Sequence, residues 1–436
     1  MKRITLITTI FLLAYQLCAQ QKSIEFVEYD LDNGLHVILH QKNKTPVVAV
    51  TMLYHVGSKN EDPKRTGFAH FFEHLLFEGS ENIERGEFAK YVQNAGGTYN
   101  ANTSADRTFY YELLPSNQLE MGLWLESERL LHAKIDDEGI ETQREVVKEE
   151  RRQRVDNTPY GSILEEVLKR AYKDHPYQWT TIGSLSHLNS AKKEEFAEFY
   201  KTFYVPNNAT LSIAGDIDIE NTKKLIQQYF GEIPIGGDIP RPTIEEAPLN
   251  KEVKASVNDK IFLPAVVHAF RIPEQGSEDY YAVEMLTNLL SNGKSSRIYR
   301  SVVEEQEKSV QAQVIPLSFE DPGLSITFCI ASRGVDVDDL NDAVDAEYEK
   351  VRKQLISEKE FQKLRNQIEN QKLSSFSTVA GIAEALANYH TYYGDANLIN
   401  TEIDRYMSVT REDLMRVANK YFVPDNRVRL YYVPGY

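Results

Sequence analysis

The sequence predicts an α+β protein of two related domains, each a mostly antiparallel β-sheet with helices packed on one side. Three observations carry this. Strand-like and helix-like patterns mix without regular alternation, which favours α+β over a doubly wound sheet. Residues 234–248, PIGGDIPRPTIEEAP, combine Pro234, Pro240, Pro242 and Pro248 with a Gly-Gly pair, a composition that resists helix and ladder alike and reads as an extended linker. It leaves pieces of about 210 and 190 residues on either side, each the size of one domain. Finally, Phe203-Tyr204-Val205-Pro206 and Tyr421-Phe422-Val423-Pro424 each close a helical pattern and open an apolar strand. Leu75-Leu76 before Gly79 is echoed by Leu289-Leu290 before Gly293 at nearly the same offset, about 215 residues, as duplication requires.

Taken in order, the chain starts with Lys2 and Arg3, an apolar run from Ile4 to Tyr15, and Leu17-Cys18-Ala19 before Gln20. This is the pattern of a secretory signal peptide, residues 1–19, cut after Ala19, and the run is too short to span a bilayer. Leu17 is bulky where lipid attachment at Cys18 wants a small neighbour. A periplasmic or secreted location is expected. Cys329 is then the only cysteine of the exported chain, so no internal disulfide forms and packing alone must hold the protein. In residues 20–233, His36–His40 and Val47–Val56 read as strands and Gly67–Phe77 as a helix. Phe88–Ala95 is helical up to the Gly96-Gly97 break, and Thr98–Thr103 and Thr108–Leu114 form a strand pair. Helical patterns run on to Leu131 and again from Asp137. Residues 249–436 form the second unit, and nothing after the leader is long and apolar enough to cross a membrane.

The 436 residues are 42% hydrophobic and 26% charged, ordinary globular values. A net charge of −16 argues against nucleic-acid binding, which needs a basic face.

Chemistry concentrates in Gly67-Phe68-Ala69-His70-Phe71-Phe72-Glu73-His74-Leu75-Leu76-Phe77. On a helix, His70, Glu73 and His74 share an arc of about 100°, with Phe71, Phe72, Leu75 and Leu76 on the other side. Two imidazoles one turn apart can hold one metal ion, and a carboxylate beside them can take a proton from a metal-bound water. A structural metal site or a pair of core histidines is the plainer reading, but burying three polar groups without a partner is costly. A catalytic zinc usually takes a third protein ligand, and Glu145, Glu149 and Glu150 are all candidates on the helical stretch 143–152.

These residues resemble the inverted-motif zinc peptidases of the pitrilysin and insulinase family, closest to the branch that includes mitochondrial processing peptidase. The resemblance covers nearly the whole exported chain. In that family the third ligand is a glutamate about 76 residues beyond the second histidine, which falls here on Glu150. It implies one Zn²⁺ per chain on His70, His74 and Glu150, and Glu73 as the general base. The family often has a further carboxylate two turns before the third ligand; here the residue is Gln143. The strand Thr98-Tyr99-Asn100-Ala101-Asn102-Thr103 and the following Asp106-Arg107-Thr108 also fit the family pattern, in which this strand is an open sheet edge that an extended peptide joins. Main-chain pairing of that kind holds a peptide regardless of its sequence. The resemblance implies a zinc endopeptidase of unfolded peptides or short polypeptides. The alternative is a non-catalytic binding or assembly subunit of the same fold, although such subunits usually lack the ligand set present here.

Aligning the two halves sets Glu284, Thr287 and Asn288 against His70, Glu73 and His74, so the second copy has no metal stripe. In the family it often supplies an Arg and a Tyr after a Ser-Ser-Arg motif. Ser295-Ser296-Arg297 is present, but Val303 stands where the Arg is expected and no Tyr lies near Gln311-Ala312. A metal-free homologous partner chain, giving a heterodimer, would restore the pair; the rival arrangement is a homodimer or a monomer working without it. Assay of the purified chain alone tests this. Turnover is expected only after the partner is added, and full peptide hydrolysis by the isolated chain would exclude a required partner.

Overall fold

The computed structural model describes residues 23–291 and 293–435; the expected leader, its cut after Ala19 and Cys18 lie outside them. Strands β1 (Val27–Asp30), β2 (His36–Gln41), β3 (Val47–Tyr54), β4 (Thr98–Thr103), β5 (Thr108–Pro115) and β6 (Ala209–Gly215) form one sheet in the order β1-β2-β6-β3-β5-β4. Strands β7 (Val253–Asp259), β8 (Ala265–Ile272), β9 (Ser309–Leu317), β10 (Gly323–Ala331) and β11 (Arg427–Pro434) form a second, ordered β7-β11-β8-β10-β9. Each sheet has one parallel pair, β2 with β6 and β7 with β11; the other pairs are antiparallel. With β1 set aside the wiring is the same in both. The last strand of each half returns to lie between the half's first two strands, and β4 and β9 are left as corresponding edges. Residues 234–250 carry no regular secondary structure between the sheets.

Four helices build the site and its counterpart in the second half: α1 (Phe68–Leu75), α2 (Asp137–Arg151), α3 (Tyr280–Ser291) and α4 (Val379–Tyr393). One face of the first sheet, with Val37, Leu39, Val48, Val50 and Met52, packs on Phe68, Phe71, Phe72 and Leu75 of α1. The alternate residues Ile38, Ala49 and Ala214 point the other way, where they meet Ile382, Ala383 and Leu386 of α4, a helix from the second half of the chain. The exchange is mutual. Val267, Ala269, Leu324, Ile326 and Leu430 of the second sheet pack on Val167, Leu168, Ala171, Tyr172 and Tyr177 of the first half. Each sheet is therefore covered on one side by helices of its own half and on the other by a helix lent by the other half. Central strands such as VVAVTMLY are apolar on both faces because both are buried.

A polar cluster fixes how the halves meet. Lys59, with its side chain 7% exposed, lies 3.0 Å from Asp106, 2.5 Å from Glu320 and 3.2 Å from Asp321. A buried cation of this kind is costly to leave unpaired, so it penalises any other docking. Cys329 is free and buried, and burial pushes its thiol up to about 12, which makes it chemically inert. Among the described residues no helix is long and apolar enough to cross a membrane.

Leu386 is fully buried between the halves. Leu386→Ala should cost about 2–5 kcal/mol, read by urea unfolding, with both halves still melting in one transition. Two separated transitions in the wild-type protein would contradict this shared core.

Candidate metal centre

Helix α1 is fixed from both ends. Its start is capped by a distant side chain: Glu61 Oε2 accepts from the Gly67 N–H and Oε1 from the Ala69 N–H, both at 2.9 Å. This satisfies donors that a helix N-terminus leaves open. Gly67 holds a left-handed φ of 99°, and a Cβ there would stand 2.9 Å from the Ile182 carbonyl oxygen. On its apolar side Phe68 stacks on Phe196 at 4.5 Å between centroids and Phe72 on Phe199 at 5.6 Å. At its C-terminal end the Tyr110 hydroxyl donates to the Phe72 carbonyl at 2.8 Å. The polar stripe then has one direction left, toward α2.

Helix α2 starts from Asp136, which accepts from the Gly139 N–H at 2.8 Å. Buried Val147 seats its apolar side in the same core as Leu75. Its last turn delivers Glu150. The Nε2 atoms of His70 and His74 are 3.3 Å apart, and Glu150 Oε2 lies 3.3 Å from the first and 3.2 Å from the second. The imidazole planes cross at 87°. A tetrahedral ion with ligand distances of about 2.0–2.1 Å needs donor separations of about 3.3–3.4 Å. The triangle has that size, and its two-nitrogen, one-oxygen donor set suits zinc. Glu150 Oε2 is also buried with no hydrogen-bond donor of its own, an acceptor suited to a cation.

The other two glutamates raised by the sequence are engaged elsewhere. Glu145 accepts from Lys148 at 2.7 Å, and Glu149 from Arg152 at 3.0 Å and Gln153 at 3.0 Å. Both line the rim of the same cavity, which has a volume of about 900 Å³. Glu73 lines it too, beside the donor triangle and outside it. After Arg151 the chain widens into a π-helical turn over Arg152–Asp156, a common departure at functional sites. It carries Arg154 back to the cavity, 2.8 Å from Glu150 Oε1, so one carboxylate oxygen is held while the other faces the histidines.

The strand β4 forms the opposite wall and is the free edge of its sheet. Asn100, Ala101, Asn102 and Thr103 line the cavity, whereas Thr98 and Tyr99 lie farther along the strand. The Ala101 N–H is closed by the Asn100 side chain at 2.9 Å. Arg107 braces the edge, reaching Asn102 Oδ1 at 3.1 Å and Asn388 and Glu384 of α4 at 2.6 Å each. In the second half, Glu284, Thr287 and Asn288 lie on α3; Glu284 accepts from the Tyr406 hydroxyl, and none of the three belongs to a potential metal-binding trio among the described residues. Glu61 and Arg154 were not anticipated, whereas Arg107 belongs to the stretch that fits the family pattern. Only Arg154, one helical turn after Glu150, had a local signal.

Residues 36–184 match the family described as Insulinase (Peptidase family M16), and residues 190–368 that described as Peptidase M16 inactive domain. A protein of Helicobacter pylori named Zinc protease PqqE is 30% identical over 396 residues, 90% of this chain and 89% of that one. The crystal structure of a protease from Helicobacter pylori superimposes with a TM-score of 0.90 at 28% identity, covering 94% of this chain and 100% of that chain. Mitochondrial-processing peptidase subunit beta of Lentinula edodes is 23% identical over 405 residues, 90% of this chain and 86% of that one.

Burial pushes the Glu61 carboxyl up from 4.5 to about 8, against the amide hydrogen bonds that pull it down. A folded value above the unfolded one means its contribution to stability is complete below about 4.5 and lost as pH rises through about 8. Melting temperature should therefore fall between about pH 5 and 8. Glu61→Gln should lower the starting stability and flatten that slope; an unchanged slope would assign the pH dependence elsewhere.

Proposed function

This chain belongs to the insulinase family, peptidase family M16, and we propose that it is a zinc endopeptidase of unfolded peptides and short polypeptides. The observation that carries this is the His70, His74 and Glu150 donor triangle facing an open strand edge across one cavity. In this reading His70, His74 and Glu150 hold one Zn²⁺. Zinc, when bound, supplies Lewis acidity, polarising a carbonyl and making nearby water more acidic.

The remaining work falls to the chain itself. The backbone of β4 pairs with an extended substrate and sets the scissile bond over the cavity, a contact that reads main chain rather than side chains. Asn100 releases the Ala101 N–H for that pairing. Glu73 accepts the proton of the attacking water and delivers it to the departing amine. Arg154 keeps Glu150 Oε1 occupied, so that the carboxylate offers only Oε2 inward. Export rests on the leader pattern of the sequence. The absence of an Arg and Tyr pair after Ser295-Ser296-Arg297 motivates a homologous partner chain or a second copy.

Metal analysis and a quenched-peptide assay test the assignment together. His70→Ala should lose both zinc and activity. Glu73→Gln should keep zinc and lose roughly 10²–10⁴-fold in kcat. Chelation should abolish wild-type turnover and added zinc restore it. A fully active Glu73→Gln enzyme would refute the role of Glu73, and a zinc-free chain that still cleaves peptides would refute the metal mechanism. A zinc-loaded chain that cleaves no peptide, alone or with a homologous partner, would favour the assembly subunit.

A further inference from the structure

Gln143 lies two turns before Glu150 on the same face of α2, where the family resemblance leads one to expect a carboxylate. Its side-chain Nε2 donates to Glu78 Oε1. Glu78 follows closely on the end of α1 and is 8% exposed. Its other oxygen meets Arg85 Nε at 2.9 Å. Arg85 in turn donates from Nη2 to Asp136 Oδ1 at 2.9 Å and lies 3.1 Å from Glu138. Asp136 closes the circuit, because the same Oδ1 caps the first turn of α2.

The segment 78–85 therefore continues from the helix that bears both imidazoles and grips the helix that bears the carboxylate at two heights. Between the grips the helices come close. A Cβ on Gly139 would stand 3.2 Å from Asp136 Oδ1, 3.3 Å from Arg85 Nη2 and 3.3 Å from Leu75 Cδ1, so any larger residue there would press on both the bracket and α1.

We propose that Glu78 and Arg85 form a bracket that sets the register of α2 on α1, and that Gln143 is the donor this bracket requires. A carboxylate at 143 would bring a second anion against a buried acceptor-only group, whereas the amide supplies the missing hydrogen. The departure at 143 and the acid at 78 are thus one complementary pair. All three are positioning residues, acting on the metal through the placement of Glu150. The inference rests on Glu150 being the third ligand.

The test is zinc affinity by chelator competition, with the cobalt-substituted absorption spectrum as a second readout of ligand geometry. Gln143→Glu should weaken zinc binding roughly 10–100-fold, the usual cost of losing a partner that orients a metal ligand. The double variant Glu78→Gln with Gln143→Glu, which exchanges amide and carboxylate, should regain most of that loss. Gln143→Ala, which removes the donor without adding charge, should give a smaller drop, about tenfold, and serves if Gln143→Glu does not fold. Unchanged affinity in Gln143→Glu or in Gln143→Ala, or a double variant no better than Gln143→Glu, would overturn the bracket. The underlying reading fails separately: Glu150→Gln with wild-type zinc affinity would remove the ligand assignment itself.

Discussion

Two imidazole nitrogens and a carboxylate oxygen, each an electron-pair donor, are held within 3.3 Å of one another in a largely buried pocket. Such a cluster is unfavourable without a cation to draw the lone pairs together. It persists only if the elements that carry it cannot relax apart, and much of the architecture around α1 meets that demand. Stacked phenylalanines fill the space behind the helix, the Glu61 carboxyl group ties down its first turn, and Tyr110 takes up a carbonyl near its end. The donors point outward because every other direction is already packed.

The same rigidity explains how a chain with one buried cysteine can hold two domains together. Each half covers the outer face of the other's sheet, so neither has a complete set of buried surfaces by itself. The Lys59 cluster adds selectivity to an apolar interface that would otherwise tolerate sliding. One edge of the first sheet is left open. β4 faces the cavity and is braced through Arg107 against α4, so the second half supports the wall of a site to which it contributes no metal ligand.

Legibility followed distance along the chain. The stripe of His70, Glu73 and His74 could be read because helical spacing places residues three and four apart on one face whatever surrounds them. The strand pair at 98–103 and 108–114 could be read because alternation and a Gly-Gly break are local signals. The choice among Glu145, Glu149 and Glu150 could not be made from periodicity, since all three suit a charged helix face. It came from a resemblance, and in the fold Lys148 and Arg152 occupy the other two carboxylates. The cap from Glu61 and the bracket around Glu78 had no local mark, because their partners are set by packing and not by spacing. The face of the first sheet opposite α1 was equally silent: a strand apolar on both sides announces that something covers it, but not that the cover is a helix about 330 residues away.

By itself, then, the sequence determined the α+β class, the kinship of two halves and the donor stripe on one helix, because each follows from periodicity or self-similarity. Tertiary structure alone decided which carboxylate oxygen stands beside the two imidazoles, what holds it there, and which half buries which sheet. Those outcomes depend on distances between segments that the order of residues leaves free, and only simultaneous burial of all the apolar faces selects among them.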